Sequence, residues 1–221
     1  MKGMNIFTDA SIITSPFEET IGCAGAICYE DNNIFKYEIV RDSTNNISEL
    51  TAIKLAVLLA IENRHNFNIF NIYADSQYAI FGLTKWLNGW INNTENGILY
   101  NSSGMPVKNQ EIFLSIIKLI VKNKIPINFY HVKGHVNINN FVSINNAANV
   151  FKKSNNVNVS RNEIYNMTKM NNLVDKNTRN LLKEKYINER ENIVRGVIQP
   201  ILTKEDINIY YNLVSLGENK I

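Results

Sequence analysis

Three acids stand out for where they fall. Asp9 lies within the first apolar alternation, Met4 to Ser11; Glu49 lies in the first turn of a long helical pattern; Asp75 closes a short β-rich run, just before a helix start near Ser76. Strand ends and helix starts at the carboxyl edge of an α/β sheet are where ligand sites gather. Taken singly, two of these acids have plain alternatives: the helix dipole favours Glu49 at a helix start, and Asp75 can serve as an N-cap. Asp9 resists such an account, because an unpaired carboxylate buried in a central strand is costly. Three carboxylates brought together repel one another unless a cation sits among them. Hard oxygen ligands in an open arrangement suit Mg²⁺, which keeps several waters and shares phosphate oxygens with its substrate. Two such ions about 3.5–4 Å apart activate a water and stabilise the leaving oxygen in phosphodiester hydrolysis.

The elements that must position these acids are legible from periodicity. Met4–Ser11, Gly22–Tyr29 and Ile34–Val40 read as strands, and the turn at Asp31-Asn32-Asn33 makes the second and third a hairpin. Ile47–Arg64 places Leu50, Ile53, Leu55, Val57, Leu58 and Ile61 at helical spacing, with an Ala-rich face for close packing on a sheet. Asn68–Ala74 reads as a strand and is followed by a helix from about Ser76. Trp86–Pro106 reads as irregular, with short helical pieces at its start. A helix over Asn109–Lys122, a strand over Ile127–Val132 opened by Pro126, and a helix over Asn139–Lys152 complete the pattern. Early antiparallel strands followed by β-α-β crossovers predict an α/β fold, a five-stranded mixed sheet flanked by helices.

Beyond Asn155 the pattern changes. Ser160-Arg161-Asn162-Glu163 has capping-box spacing; Thr203 with Asp206 repeats it, Gly217 closes it, and Pro200 separates the two. We read 1–153 as one domain and 154–221 as a helical C-terminal extension. Residues 152–221 carry 12 Lys/Arg against 8 Asp/Glu, whereas residues 1–151 carry 11 against 12. A formal charge of +3 over 221 residues does not diagnose a nucleic-acid binder. Cys23 and Cys28 lie in an apolar run with no neighbouring His cluster, so they read as buried small residues and not as zinc ligands. No signal-like start and no apolar run of about 20 residues is present, so a cytoplasmic protein away from membranes is expected.

Six motifs follow one another in order: TDAS at 8–11, TNNISEL at 44–50, ADSQYAI at 74–80, KWLNGW at 85–90, PVKN at 106–109 and HVKGH at 131–135. In sequence and spacing they resemble the type 1 ribonuclease H family over roughly residues 4–153. The resemblance implies a ribonuclease H-like fold. It also implies endonucleolytic hydrolysis of the RNA strand of RNA–DNA hybrids, leaving 5′-phosphate and 3′-hydroxyl ends. By that resemblance Asp9, Glu49 and Asp75 are ligands of a two-ion Mg²⁺ site, with Mn²⁺ as a substitute and Asp9 bridging. His135 resembles the residue that handles a proton near the leaving group; without HVKGH around it, it would read as a solvated loop histidine. Asn45 and Asn46 resemble the pair that reads the hybrid in its minor groove, where 2′-hydroxyls distinguish RNA from DNA. Asn109 and Gln77 resemble further substrate contacts. Trp86 and Trp90 resemble aromatics that support a substrate-gripping protrusion, with plain helix packing as the alternative.

Two departures qualify the resemblance. The family supplies a fourth carboxylate at the start of its last helix; here that place falls on Asn145, and no Asp or Glu occurs from Ile112 to Asn162. An amide oxygen can ligate Mg²⁺, but without the charge, so a weaker hold on the second ion is expected. Glu163 or Asp175 of the extension could replace the missing group by folding over the site. Between Lys85 and Lys108 the protrusion carries no Lys or Arg, so the grip on phosphates should be weak unless Lys152, Lys153, Arg161, Lys169, Arg179, Lys183 and Lys185 compensate. The leading expectation is a monomeric hybrid nuclease; the alternative is a catalytically weakened module of the same fold that binds hybrid or structured nucleic acid.

Overall fold

The first three strands form an antiparallel meander: β1 (Gly3–Ser15), β2 (Glu18–Cys28) and β3 (Phe35–Val40). The computed structural model describes residues 2–15 and 18–194. β4 (Ile69–Ala74) pairs parallel to β1, and β7 (Ile127–His131) pairs parallel to β4, giving a five-stranded mixed sheet of order β3-β2-β1-β4-β7. This is the mixed sheet that the sequence pattern predicts. The β1–β2 ribbon is longer than the apolar alternation suggests, since pairing continues past Ser11 to Ile13↔Ile21 and Ser15↔Glu18.

α1 (Asn45–Glu62) starts after Thr44, whose Oγ1 accepts from the Ile47 amide at 3.3 Å. Its start lies two residues earlier than the apolar spacing predicts, because Asn45 and Asn46 carry no apolar signal yet lie behind a working cap. Its buried residues include Ser48, Leu50, Ile53, Ala56, Val57 and Ala60. β2 and α1 approach closely at Gly22, where a Cβ would lie 2.1 Å from Ser48 Oγ. That close approach sets the height of the helix over the sheet.

After β4, α2 (Gln77–Phe81), a π-helical turn (Gly82–Trp86) and α3 (Leu87–Asn92) succeed one another without a break. The expected irregular stretch is therefore helical as far as Asn92. A small hairpin follows, β5 (Thr94–Glu95) and β6 (Ile98–Leu99), turned by Asn96 at φ 49° and Gly97 at φ 80°. Asn-Gly between paired residues is a strong hairpin signal because both turn positions need positive φ; the polar context of 86–106 masked it. α4 (Gln110–Asn123) and α5 (Phe141–Asn155) fall where predicted within three residues.

Alternation along β1 divides the core in two. Met4 and Ile6 face α1 and α4 across a cluster that includes Leu50, Ile53, Phe70, Ile72 and Phe113. Phe7 faces the opposite side, among Val132 after β7, Ile144 and Phe151 of α5, and Ile164, Met170 and Val174 of the last described helix, α6 (Arg161–Val194). The predicted capping box opens α6: Glu163 Oε2 accepts from Ser160 N at 2.7 Å, and Ser160 Oγ accepts from Glu163 N at 3.2 Å. Leu182 of α6 then packs with Ile21 and Cys23 of β2. Pro200, Thr203, Asp206 and Gly217 lie outside the described residues.

Candidate active site

Asp9 occupies the middle of β1, opposite Gly25 of β2, on the face that α6 covers. It is 5% exposed, and its Oδ1 accepts from the Ala10 amide at 2.7 Å. Glu49 lies one full turn inside α1 and not in its first turn, so the helix start explains neither its presence nor its charge. Asp75 follows β4 directly, and the cap of α2 is Ser76, whose Oγ accepts from the Ala79 amide at 3.3 Å. The capping alternatives for both acids are thereby removed.

The three carboxylates each present an oxygen within 4.8 Å of the other two. Burial, and then the neighbouring charge of Asp75, pushes the Asp9 carboxyl up to about 8. Burial, with the charges of Asp9 and Asp75, holds Glu49 well above the ordinary carboxylate range. Burial also raises Asp75, opposed by a hydrogen bond from Asn171 and by the nearby imidazoles of His135 and His131. Glu49 Oε2 is buried without a hydrogen-bond partner. Three hard oxygens that repel one another, one of them orphaned, form a donor set suited to a divalent cation.

Loop and strand residues hold Asp75 in place. His131 Nε2 lies 3.2 Å from the Asp75 carbonyl oxygen, and its Nδ1 lies 3.0 Å from Ser154 Oγ. A carbonyl only accepts, so Nε2 carries the proton and Nδ1 accepts from the serine hydroxyl. Burial lowers the pKa of His131, in keeping with that neutral ring. Gly134 passes so near Asp75 that a Cβ there would meet its Oδ2 at 2.1 Å. His131 and Gly134 both stand in HVKGH, yet the sequence reading singled out only His135 from that motif.

A family model described as RNase H matches residues 1–156. This chain belongs to the ribonuclease H family. A ribonuclease H of Haemophilus influenzae is 34% identical over 134 residues, covering 61% of this chain and 79% of that one. A ribonuclease H of Clostridium botulinum is 34% identical over 137 residues, covering 61% and 85% respectively. Among solved structures, the foamy viral protease-reverse transcriptase in complex with an RNA/DNA hybrid aligns with 69% of this chain and 19% of that one, at 18% identity and a TM-score of 0.47.

Within this ribonuclease H fold the remaining candidate residues divide into groups. Asn45 and His135 line a cavity of about 320 Å³ together with Ser11 of β1 and Asp175, Arg179 and Lys183 of α6. His135 is exposed at φ 53° in the loop after β7. Asn46 is exposed in the first turn of α1, and Gln77 is exposed at the start of α2. Trp86 is 40% exposed while Trp90 is 7% exposed; both line a second cavity of about 740 Å³ with Tyr78, Lys85 and Lys108. Asn109 precedes α4 at φ 56° and caps nothing with its side chain. Asn145 is half-buried on α5, and its carboxamide makes no hydrogen bond to the three acids.

The extension reaches the site through α6. Glu163 is spent on its capping box. Asp175 comes near enough for its charge to act on Asp9 and Glu49, but Arg179 Nη2 holds both its oxygens, at 2.5 and 2.6 Å. Asn171, which the sequence reading passed over, donates from Nδ2 to Asp75 Oδ2 at 3.4 Å. Cys23 and Cys28 are buried and free, and burial pushes both thiols up to about 11, as befits packing residues.

Proposed function

We propose that this protein is a ribonuclease H that hydrolyses the RNA strand of RNA–DNA hybrids, with Asp9, Glu49 and Asp75 holding divalent metal. The observation that carries this reading is the buried acid triad with its orphaned Glu49 oxygen, in a chain of the ribonuclease H family. Mg²⁺ is the ion we assign, with Mn²⁺ as substitute. When bound, such an ion polarises a phosphoryl oxygen and makes a water nucleophilic at neutral pH. Asp9, Glu49 and Asp75 would hold the metal through their carboxylates, and Asn145 is the neutral donor we assign beside them. His135, exposed on the cavity that Asn45 also lines, is the imidazole we assign to proton transfer at the leaving 3′-oxygen. We assign the Asn45 and Asn46 carboxamides to the minor groove of the hybrid. Trp86, Gln77 and Asn109 line the flank along α2–α4 on which the DNA strand would lie.

Phosphate contacts set much of the affinity for a hybrid. Arg179 and Lys183 share a cavity with Asn45 and His135, and we assign them to the backbone of the substrate. We also propose that residues 1–153 are the catalytic domain, that 154–221 are an accessory extension, and that the protein acts as a cytoplasmic monomer. Free cysteines fit a reducing compartment, and no helix among the described residues is long and apolar enough to cross a membrane.

A labelled hybrid incubated with the protein in Mg²⁺ or Mn²⁺, with Asp9→Asn as control, tests the reading. Cleavage by the parent and none by the variant is the expected result. A second reading, a binding module of the same fold, is favoured by the neutral Asn145 and by the cover that α6 lays over Asp9. Binding without cleavage in both metals would establish it.

A further inference from the structure

Among the described residues, two buried side-chain polar atoms have no hydrogen-bond partner: Glu49 Oε2 and Asn171 Oδ1. Both are oxygens, the amide's an acceptor only and the carboxylate's an acceptor when ionised, and both belong to neighbours of Asp75. Glu49 adjoins it in the acid cluster, and Asn171 adjoins it through its own amide N–H. Asn171 is 2% exposed, so bulk water does not satisfy its oxygen. Leaving one buried acceptor unmet is costly, and two such acceptors on residues that both adjoin Asp75 suit a donor of positive charge.

The seating of α6 fixes this amide at the site. Met170 and Val174 are buried in the core against Phe7 and α5. The face beside them runs Asn171, Asp175, Thr178 and Leu182, at the spacing of one helical stripe. Along β1 and β2 that stripe meets Asp75, the charge of Asp9, the hydroxyl of Ser11 at 3.2 Å, and Ile21 with Cys23. Both acids of α6 near this end are already committed, Glu163 to Ser160 and Asp175 to Arg179. Among the described residues of the extension, the buried side-chain oxygen left without a partner is Asn171 Oδ1.

We propose that Asn171 is the further oxygen ligand of the divalent cation site, supplied by a helix outside the stretch that matches the family. The inference rests on the acid cluster being a metal site. A carboxamide oxygen is a hard, neutral donor of the kind that Mg²⁺ and Mn²⁺ accept. It adds a donor to a site in which Asn145 brings no charge, and its N–H holds Asp75 at the same time. The active site is thus built from both parts of the chain.

The test is an Mn²⁺ titration of the full-length protein, with free Mn²⁺ read by electron paramagnetic resonance. Parent, Asn171→Ala, Asn171→Asp, Asp9→Asn and Lys176→Ala are compared. Asn171→Ala should weaken Mn²⁺ binding about tenfold or more, Asn171→Asp should tighten it, and exposed Lys176→Ala should leave it unchanged. Parent-like affinity in Asn171→Ala overturns the inference. Should the alanine variant unfold, Asn171→Asp keeps the shape, and unchanged or weaker binding there overturns the inference equally. The two levels separate cleanly. If Asp9→Asn abolishes binding while Asn171→Ala binds Mn²⁺ as the parent does, only this inference falls. If Asp9→Asn binds Mn²⁺ as the parent does, the metal reading of the acid cluster fails and takes this inference with it.

Discussion

At the scale of single residues, the site is defined by charge held where water is scarce. Without metal, the folded protein keeps Asp9 protonated up to about pH 8, whereas an unperturbed aspartate ionises near 3.8. Between those values the folded state binds a proton that the unfolded chain has released, so this group lowers stability as pH rises through the window. In chelator, the melting temperature of the parent should therefore fall from about pH 5 to about pH 8 more steeply than that of Asp9→Asn. At the upper end the variant should be the more stable by roughly 5 °C, and added divalent metal should raise the parent selectively. Parallel pH profiles for the two proteins would contradict this account of Asp9. Asn145 makes the complementary case. Restoring a charge there with Asn145→Asp should reduce the Mg²⁺ concentration needed for half-maximal cleavage by about tenfold, and an unchanged metal dependence would show that this position takes no part in holding the second ion.

At the scale of elements, α6 does the most that the sequence did not announce. Its capping box at Ser160 and Glu163 was legible, and so was helix beyond it. Its destination was legible only as the possibility that Glu163 or Asp175 folds over the site, because docking is a tertiary choice and its stripe mixes Asn171, Asp175 and Thr178 with Leu182, giving no strong apolar period. In a chain so rich in Asn, position 171 carried no signal until the helix placed it against Asp75. Elements with uniform patterns fared better: the alternation of β1 put Asp9 and Phe7 on one face, and the apolar spacing of α1 carried Glu49 over the sheet. The Asn96-Gly97 hairpin had its signature in plain view but lies in a polar stretch without long flanking strands. Docking of α6 should be a large part of stability. Leu182 is 1% exposed against Ile21 and Cys23, so Leu182→Ala should cost about 2–4 kcal/mol in denaturant unfolding; a change under about 0.5 kcal/mol would mean that the helix is not seated there in solution. The same helix should carry the grip on substrate. Arg179 is about half exposed in its pair with Asp175 and uses one nitrogen for it, so its other guanidinium donors are available to a phosphate. A double Arg179→Ala, Lys183→Ala variant should lose about two units from the slope of log affinity for hybrid against log salt, and an unchanged slope would remove α6 from the substrate path.

At the scale of the whole molecule, the acids come from the domain and the positive surplus comes from the segment after it. Residues 1–151 carry a near-balanced charge, and the chain from 152 onward holds 12 of the 23 Lys and Arg. The protrusion beside Trp86, which the family resemblance makes a gripping element, has no Lys or Arg between Lys85 and Lys108. On the proposed reading, catalysis belongs to the domain and part of the grip to the extension, whose α6 packs on β1 at Ser11. The claim at the centre is strand-selective hydrolysis at the acid triad. It is tested most directly by a hybrid labelled separately on its RNA and DNA strands, incubated with full-length protein in Mg²⁺ or Mn²⁺, and analysed for which strand is cut and what ends remain. Internal cuts in RNA alone, with 5′-phosphate and 3′-hydroxyl ends that vanish in Asp9→Asn, are the predicted result. Cleavage that persists in Asp9→Asn, cuts in both strands, or cyclic-phosphate ends would contradict it.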